Sequence, residues 1–253
     1  MRPDPAAPEL RAVAPLVTTT SPAQLVGAVT LVANGDRVVG VTSAELVRPL
    51  QGAPLAIVTK LDGSAQIPMA SWFMGHYVGI GIVELGGAIP DGHDVVPLAV
   101  GSVCASVSTH GAPAAFCRIE QTAAGFTRTL LPIFVDRDDA GGMSDRTLQL
   151  ASPVEPVDAA IDAEGCPAFA WLPPEPALGR KRGEVVVCAI GFPYRAQIAK
   201  PREQPVIAEL LPLDDLGRAL VVAPPPIEDR AELGEVHGEI DDHRSDPLAG
   251  LDD

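Results

Sequence analysis

Serine, histidine and aspartate side chains are the groups in this chain that could build a hydrolytic site. A hydroxyl becomes a nucleophile when a histidine removes its proton and a carboxylate orients that histidine. The candidates for such a site are Ser144, Ser152, His76, His93 and His110. Asp94 follows His93, but adjacent residues on a strand point to opposite faces, so we do not expect this pair to cooperate there.

Metal and cofactor chemistry have weak support in the sequence. The side chains that could ligate a metal fall close together near the C-terminal end, at His237, Glu239, Asp241, Asp242 and His243. Their spacing matches no metal-binding loop or helix pair, which favours a solvated acidic segment. The glycines form neither a Gly-Lys-Ser/Thr nor a Gly-x-Gly-x-x-Gly pattern. We therefore expect no cofactor and no metal site.

The four cysteines, at 104, 117, 166 and 188, are far apart and form no Cys-x-x-Cys motif. An unpaired cysteine commonly behaves as a small buried hydrophobe. The sequence favours buried free thiols, with two disulfides as the alternative.

Short strands are the elements that must position these groups. Of the 253 residues, 47% are hydrophobic but only 4% aromatic, and 24 Gly and 26 Pro divide the chain into short segments. Most apolar runs are rich in Val, Ile, Thr or Phe and end at turn residues, which indicates strands in a barrel or sandwich. The runs are 25–32, 37–41, 54–59, 77–85, 96–107, 115–120, 126–135, 147–151, 166–171 and 184–190.

Two local patterns predict other features. Asn34-Gly35 between two apolar runs predicts a hairpin with a two-residue turn, because both residues accept positive φ. Residues 206–220 carry apolar groups at three- and four-residue spacing, which predicts a short helix broken or kinked at Pro212.

Charge limits the classes of partner. The net charge is −15, and residues 223–253 hold ten acidic and two basic residues, a net of −8, which leaves −7 for the rest. This balance disfavours nucleic acid and anionic membranes as partners. Residues 223–253 are too poor in apolar groups to form a core, so we expect a mobile or partner-bound acidic tail. The first residues lack a secretory signal pattern, so we expect a cytoplasmic protein.

Two segments of the chain resemble parts of the trypsin-like serine peptidases, including the bacterial HtrA kind. Residues 41–47 read Val-Thr-Ser-Ala-Glu-Leu-Val and resemble the Thr-Ala-Ala-His-Val stretch that carries the general base, with Glu45 in place of the histidine. Residues 77–85 are similar to the Asp-Ile-Ala-Val-Leu-Lys-Leu strand that carries the triad acid, with Gly79 in place of the aspartate. Glu45 is otherwise interpreted as a surface carboxylate on a one-turn helix.

Three further segments extend the resemblance to residues 25–220. Residues 96–103 and 106–113 look like the Pro-Leu-x-x-Gly strand and its Gly-x-Pro turn, 161–171 look like the hairpin after the nucleophile, and 184–192 look like the strand beside the specificity pocket. Counting back from this hairpin, the Gly-Asp-Ser-Gly-Gly-Pro signature falls on residues 154–159, with the nucleophile at Pro156 or, with slack, Asp158. Neither residue offers a hydroxyl or thiol, and the glycines that direct N–H groups to an oxyanion are missing.

The resemblance implies an all-β fold of two packed six-stranded Greek-key barrels, and the apolar spacing of residues 206–220 adds a short C-terminal helix. The expected divisions are a Pro/Ala-rich lead (1–24), a double barrel (25–222, with barrels at about 25–115 and 125–200) and the acidic tail (223–253). The degenerate positions Glu45, Gly79, Pro156 and Asp158 predict a protein without catalysis, and a binding cleft is expected at Glu45, Asp158, Phe192 and Tyr194.

The function expected from these positions is that of a pseudopeptidase that binds or scaffolds a protein or peptide partner. One alternative is an active hydrolase whose catalytic residues have moved. The other is a structural β-protein unrelated to peptidases.

Overall fold

The structure is a computed structural model. It describes residues 8–50, 52–74, 79–99, 114–138, 148–154, 164–172, 174, 176–178, 184–192 and 208–212. The chain divides into two units, 1–221 and 222–253, and every described residue belongs to the first. Within these ranges, no helix has both the length and the apolar composition needed to cross a membrane.

The first half of the chain forms a sheet of seven strands. Its strands are β1 (Val13–Thr18), β2 (Leu25–Asn34), β3 (Arg37–Ser43), β4 (Leu55–Val58), β5 (Gln66–Met74), β6 (Ile80–Leu85) and β7 (Leu98–Ala99). The order is β1-β4-β5-β6-β3-β2-β7, and β1 also pairs with β2. Six strands therefore form a ring, which we call the first barrel, and β7 adds to β2 in parallel.

The second half forms a closed six-stranded barrel. Its strands are β8 (Ala114–Thr122), β9 (Gly125–Asp138), β10 (Leu148–Pro153), β11 (Pro167–Leu172), β12 (Glu184–Phe192) and β13 (Ala208–Pro212). The order around this second barrel is β10-β13-β12-β11-β8-β9. The expected pair of six-stranded barrels is confirmed. A shared core joins them, with Val41 and Ile82 from the first barrel and Phe116 and Phe169 from the second.

Helices are short in the described ranges. The α-helix α1 (Ala44–Val47) follows β3 directly, and three 3-10 segments occupy Pro8–Ala12, Arg48–Leu50 and Pro176–Leu178. The core is filled by aliphatic side chains, since the low aromatic content leaves Val, Leu, Ile and Ala as the main filler.

The predicted hairpin at Asn34-Gly35 forms, but its turn lies one residue later. Asn34 pairs with Arg37 in the β2–β3 ladder, so Gly35 and Asp36 make the turn. Gly35 has φ of 65°, a conformation that glycine adopts without steric cost.

The predicted C-terminal helix is wrong over the described residues 208–212. These residues form β13, which pairs with β10 and with β12 and closes the second barrel. Backbone pairing on two sides outweighs a local apolar spacing that suits either a helix or a strand. Residues 213–220 of the expected helix lie outside the described ranges.

The barrels also begin and end at other residues than expected. The lead 1–24 contains β1, which pairs with β2 and β4, and β8 begins the second barrel at Ala114, earlier than the expected start at about residue 125. The strand β5 was missed. The chain therefore crosses between the barrels before Ala114, and β13 extends the second barrel past residue 200.

Candidate site at the junction of the barrels

The end of β3 places Glu45 beside Gly79. Ser43 caps α1, and its Oγ accepts a hydrogen bond from the Glu45 amide at 3.2 Å. The Ala44 amide donates to the Gly79 carbonyl at 2.7 Å, which ties α1 to the residue before β6. The two positions that the sequence assigned to a base and an acid therefore lie together at one end of the first barrel.

Glu45 lies on a one-turn helix, as expected, and its side chain is half-buried. Its Oε1 accepts a hydrogen bond from Arg48 Nη1 at 2.8 Å. Arg48 Nη2 also lies 3.2 Å from the Met74 sulfur. Glu45 is thus an anion engaged by a neighbouring cation on its own helical turn.

A turn of the second barrel, Glu164-Gly165, reaches this end of the first barrel. Ser43 Oγ donates to Glu164 Oε1 at 3.2 Å, across 121 residues of sequence. Ser43 therefore caps α1 and contacts a carboxylate of the other barrel with the same hydroxyl.

Gly165 allows the two backbones to approach. Its φ is 73°, and a Cβ here would lie 2.5 Å from Thr42 Oγ1 and 3.1 Å from Leu46 Cδ2. The Thr42 hydroxyl donates to the Ala28 carbonyl at 2.8 Å, so it is fixed in place. The Gly165 amide donates to the Gly191 carbonyl at 2.9 Å, which holds the turn on β12. A larger residue at 165 would push Glu164 away from Ser43.

The remaining cleft candidates are described only in part. Phe192 is the last residue of β12 and pairs with Glu209 of β13. Pro156, Asp158 and Tyr194 lie outside the described ranges. The cleft expected from Glu45, Asp158, Phe192 and Tyr194 therefore stays a prediction.

Glu164 is the candidate that the sequence analysis missed. The stretch Glu164-Gly165-Cys166-Pro167 has its Gly and Pro where the end of the signature, Ser-Gly-Gly-Pro, has Gly and Pro. The signal was short, and counting back from residue 162 put the nucleophile eight residues earlier, at Pro156. Only a long-range contact, the Ser43–Glu164 hydrogen bond, draws attention to it.

Of the residues considered for the alternative hydrolase, the structure describes His93, Asp94 and the backbone of Ser152. His93 and Asp94 lie in a loop rather than on a strand. Asp94 Oδ2 accepts the Leu61 amide at 2.8 Å, and His93 Nδ1 is buried without a hydrogen-bond partner. Ser152 lies in β10, opposite Phe134 of β9. Ser144, His76 and His110 lie outside the described ranges.

Cys117 is a free thiol and is buried, as expected, and Cys166 is also buried. Burial raises the pKa of Cys117 to about 12, against the opposing charge of Arg128. This thiol stays protonated at neutral pH, so it is a poor nucleophile. Cys104 lies outside the described ranges, and nothing is described of the Cys188 side chain. Over the residues that the structure covers, no three His, Cys, Asp or Glu side chains group as metal ligands.

Comparisons with known proteins support the architecture. No protein-family model matches the sequence, and no curated protein matches it. Among solved structures, the chain is similar to neuropsin, a serine protease expressed in the limbic system of mouse brain, with 14% sequence identity and a TM-score of 0.53. The match covers 85% of this chain and 94% of neuropsin. Two six-stranded barrels joined at α1 and at the 164–165 turn, together with this likeness, show that the chain has the trypsin-like fold.

Proposed function

We propose that this protein is a catalytically degenerate trypsin-like protein, related to the bacterial HtrA kind, that binds a protein or peptide partner. The observation that carries the proposal is the Ser43–Glu164 hydrogen bond, because it puts a carboxylate of the second barrel opposite the helix of Glu45. A peptidase of this fold needs a hydroxyl and an imidazole at such a junction. Here both barrels contribute a glutamate instead.

Glu164 is our candidate for the lost nucleophile, in place of Pro156. The match of Glu164-Gly165-Cys166-Pro167 to Ser-Gly-Gly-Pro and the contact with Ser43 both support this assignment. The first step of peptide hydrolysis in this family transfers a proton from the nucleophile, and a carboxylate has no such hydroxyl to activate.

The positions of the base and the acid support the same reading. Glu45 forms an ion pair with Arg48, where a general base would need an imidazole that exchanges a proton near neutral pH. Gly79 has a backbone φ of 111°, a value that residues other than glycine rarely adopt. An aspartate at 79 would therefore strain the backbone, so the loss of the acid is built into the local conformation.

Reactivity tests the degenerate half of the proposal. We expect the full chain neither to cleave casein nor to be labelled by a fluorophosphonate probe, with trypsin as the positive control. Labelling at Ser144 or Ser152 that disappears on changing that serine to alanine would establish the relocated hydrolase instead.

Selection of peptides on the full chain tests the binding half. Peptides chosen from a displayed library should bind the wild-type chain and lose affinity for the Glu45→Gln/Glu164→Gln variant. The matched control is Asp62→Asn/Glu120→Gln, which removes the same charge from exposed or partly exposed acids. Equal binding to both variants, or no selected peptide at all, would refute the junction as a binding cleft.

A further inference from the structure

A second concave surface lies on the first barrel, at the opposite end of β3 from α1. It is bounded by the β2–β3 hairpin, the end of β6, the loop 87–97 and Arg11, and it encloses about 530 Å³. This volume is in the range of small-molecule and peptide side-chain sites. We call it the hairpin groove. Arg37 and Ser43 are six residues apart along β3, so the groove lies about 20 Å from the junction.

The groove has an apolar floor and an apolar wall. Val95 lines it and is buried in the core cluster beneath, while Val38 and Ile89 pack against that cluster and are partly exposed. Val39 also lines the groove, but it is buried in the other core cluster, which includes residues of both barrels. Val96 also lines the groove and is 44% exposed, which is unusual for a large aliphatic side chain in this structure. An apolar side chain entering the groove would cover surface that is now in contact with water.

The arginines that line the groove are already engaged. Arg37 Nη2 lies 2.7 Å from Glu84 Oε1 in an ion pair. Arg11 Nη2 donates to the His93 carbonyl at 3.0 Å, and Arg11 Nε lies 3.4 Å from the Asp94 carbonyl. Both cations are thus directed at the protein's own acceptors rather than at a ligand.

Two exposed carboxylates at the rim of the groove form no ion pair with the described residues. Asp36 and Asp91 line the groove, are exposed, and form no ion pair with any described residue. The rest of the chain outside 223–253 also carries a net charge of −7. The lining holds three carboxylates, Asp36, Glu84 and Asp91, against the guanidinium groups of Arg11 and Arg37, so its net charge is negative. A negative rim above an apolar floor is complementary to a ligand that presents cations beside apolar groups.

We propose that the hairpin groove binds a basic segment of a partner protein in which Lys or Arg alternates with apolar residues. The apolar side chains cover the partly exposed Val38 and Ile89 and the exposed Val96, and the basic side chains meet Asp36 and Asp91. Alternate residues of an extended segment point to opposite sides, so one segment presents both kinds of group. The inference goes beyond the proposed function, since it assigns a site and a partner chemistry away from the junction.

Fluorescence anisotropy with the full chain tests the proposal. The probe is a short fluorescein-labelled peptide of alternating lysine and leucine, compared with the same peptide carrying glutamate for lysine. We expect the lysine peptide to bind and the glutamate peptide not to bind. Asp36→Asn/Asp91→Asn should weaken binding about fivefold, as two partly screened charge contacts would.

Two further variants separate the groove from general charge attraction. Ala88→Trp adds bulk at an exposed lining position without changing charge, and should also weaken binding about fivefold. Asp62→Asn/Glu120→Gln has the same net charge as the rim variant and should bind within about twofold of wild type. Equal loss in both charge variants, full binding by Ala88→Trp, or no binding of the lysine peptide would each overturn the proposal. Loss of affinity at Glu45→Gln/Glu164→Gln alone would assign the peptide to the junction.

Discussion

The two barrels meet at the 164–165 turn and again at the tip of the β8–β9 hairpin, and the two contacts differ in chemistry. At the turn, a side-chain hydroxyl of Ser43 contacts a carboxylate of Glu164. At the hairpin tip, the Phe126 amide donates to the Leu61 carbonyl at 2.7 Å, so backbone meets backbone. Both contacts rely on a glycine with positive φ, Gly165 at one and Gly125 at the other.

The contact at the tip of the β8–β9 hairpin is reinforced by the partly buried side chain of Arg128. Arg128 Nε donates to the Val13 carbonyl at 2.8 Å, and its Nη2 reaches the carbonyls of Asp94 at 3.3 Å and Arg11 at 3.4 Å. Desolvation lowers the pKa of this guanidinium, with the neighbouring Cys117 and Asp94 acting against that shift. The donors of Arg128 are directed at main-chain acceptors of the first barrel.

The two contacts between the barrels are expected to have different roles, one in stability and the other in binding. The contact at the tip of the β8–β9 hairpin uses backbone groups and one arginine. Backbone groups are present whatever the side chains, so this contact can persist while surface residues change. The turn contact uses two polar side chains, so it depends on the residue types at positions 43 and 164. We therefore expect changes at the hairpin tip to alter stability, and changes at the turn to alter binding with a smaller effect on stability.

The largest effect should come from Gly125→Ala. A Cβ at 125 would clash with the Leu61 carbonyl and lie 2.8 Å from the Asp62 Cα, and the φ of 127° is itself unfavourable for alanine. We expect the free energy of unfolding, measured in urea, to fall by about 3 kcal/mol or more. Gly52→Ala is the control, because its φ is 86° but no atom lies within 4 Å of the added Cβ. It should cost about 1 kcal/mol, and equal losses in the two variants would show that Gly125 makes no close contact.

An intermediate effect is expected from Arg128→Ala. The change leaves the Val13 carbonyl without its donor at the barrel contact, and hydrogen bonds from a charged group contribute about 2 kcal/mol. Urea unfolding should show a loss of that size. Arg37→Ala removes an arginine from an exposed ion pair and should cost less than about 0.5 kcal/mol. Similar losses for both variants would contradict a special role for Arg128.

The smallest effect should come from Ser43→Ala. Loss of the N-cap of α1 and of the bond to Glu164 should lower the free energy of unfolding by about 1 kcal/mol. A double-mutant cycle with Glu164→Ala isolates the contact between the barrels, and we expect a coupling of about 0.5 kcal/mol or more. A coupling of zero would mean that Ser43 acts as a cap alone.

Local chemistry made part of the fold predictable. The Gly35 turn, the aliphatic strands and the short segments follow from neighbouring residues, so these patterns alone indicated a barrel or a sandwich. The resemblance to trypsin-like peptidases is what predicted two barrels. The strand β1 was hidden by Pro15, because proline inside a run argues against a strand, yet residue 15 pairs with Ala28 in the barrel. The strand β13 was hidden by a spacing that also suits a helix.

The candidate site was predictable only for residues that lie in segments recognisable from the neighbouring sequence. Glu45 and Gly79 were found because they lie in short segments next to recognisable strands. Glu164 was not, since its place beside α1 is defined by its contact with Ser43, 121 residues away in the sequence. A count along the chain cannot identify a contact between residues so far apart in the sequence.

The separation of the two barrels along the chain has a consequence for the order of synthesis. The described strands of the first barrel end at Ala99, and those of the second begin at Ala114. Domains generally fold from the N-terminal end as the chain emerges from the ribosome. The Leu61 carbonyl accepts a hydrogen bond from the Phe126 amide, and the Val13 carbonyl accepts one from Arg128. Both acceptor residues are thus translated before the β8–β9 hairpin. The first barrel can therefore provide a surface against which β8–β9, the first hairpin of the second barrel, packs as it folds.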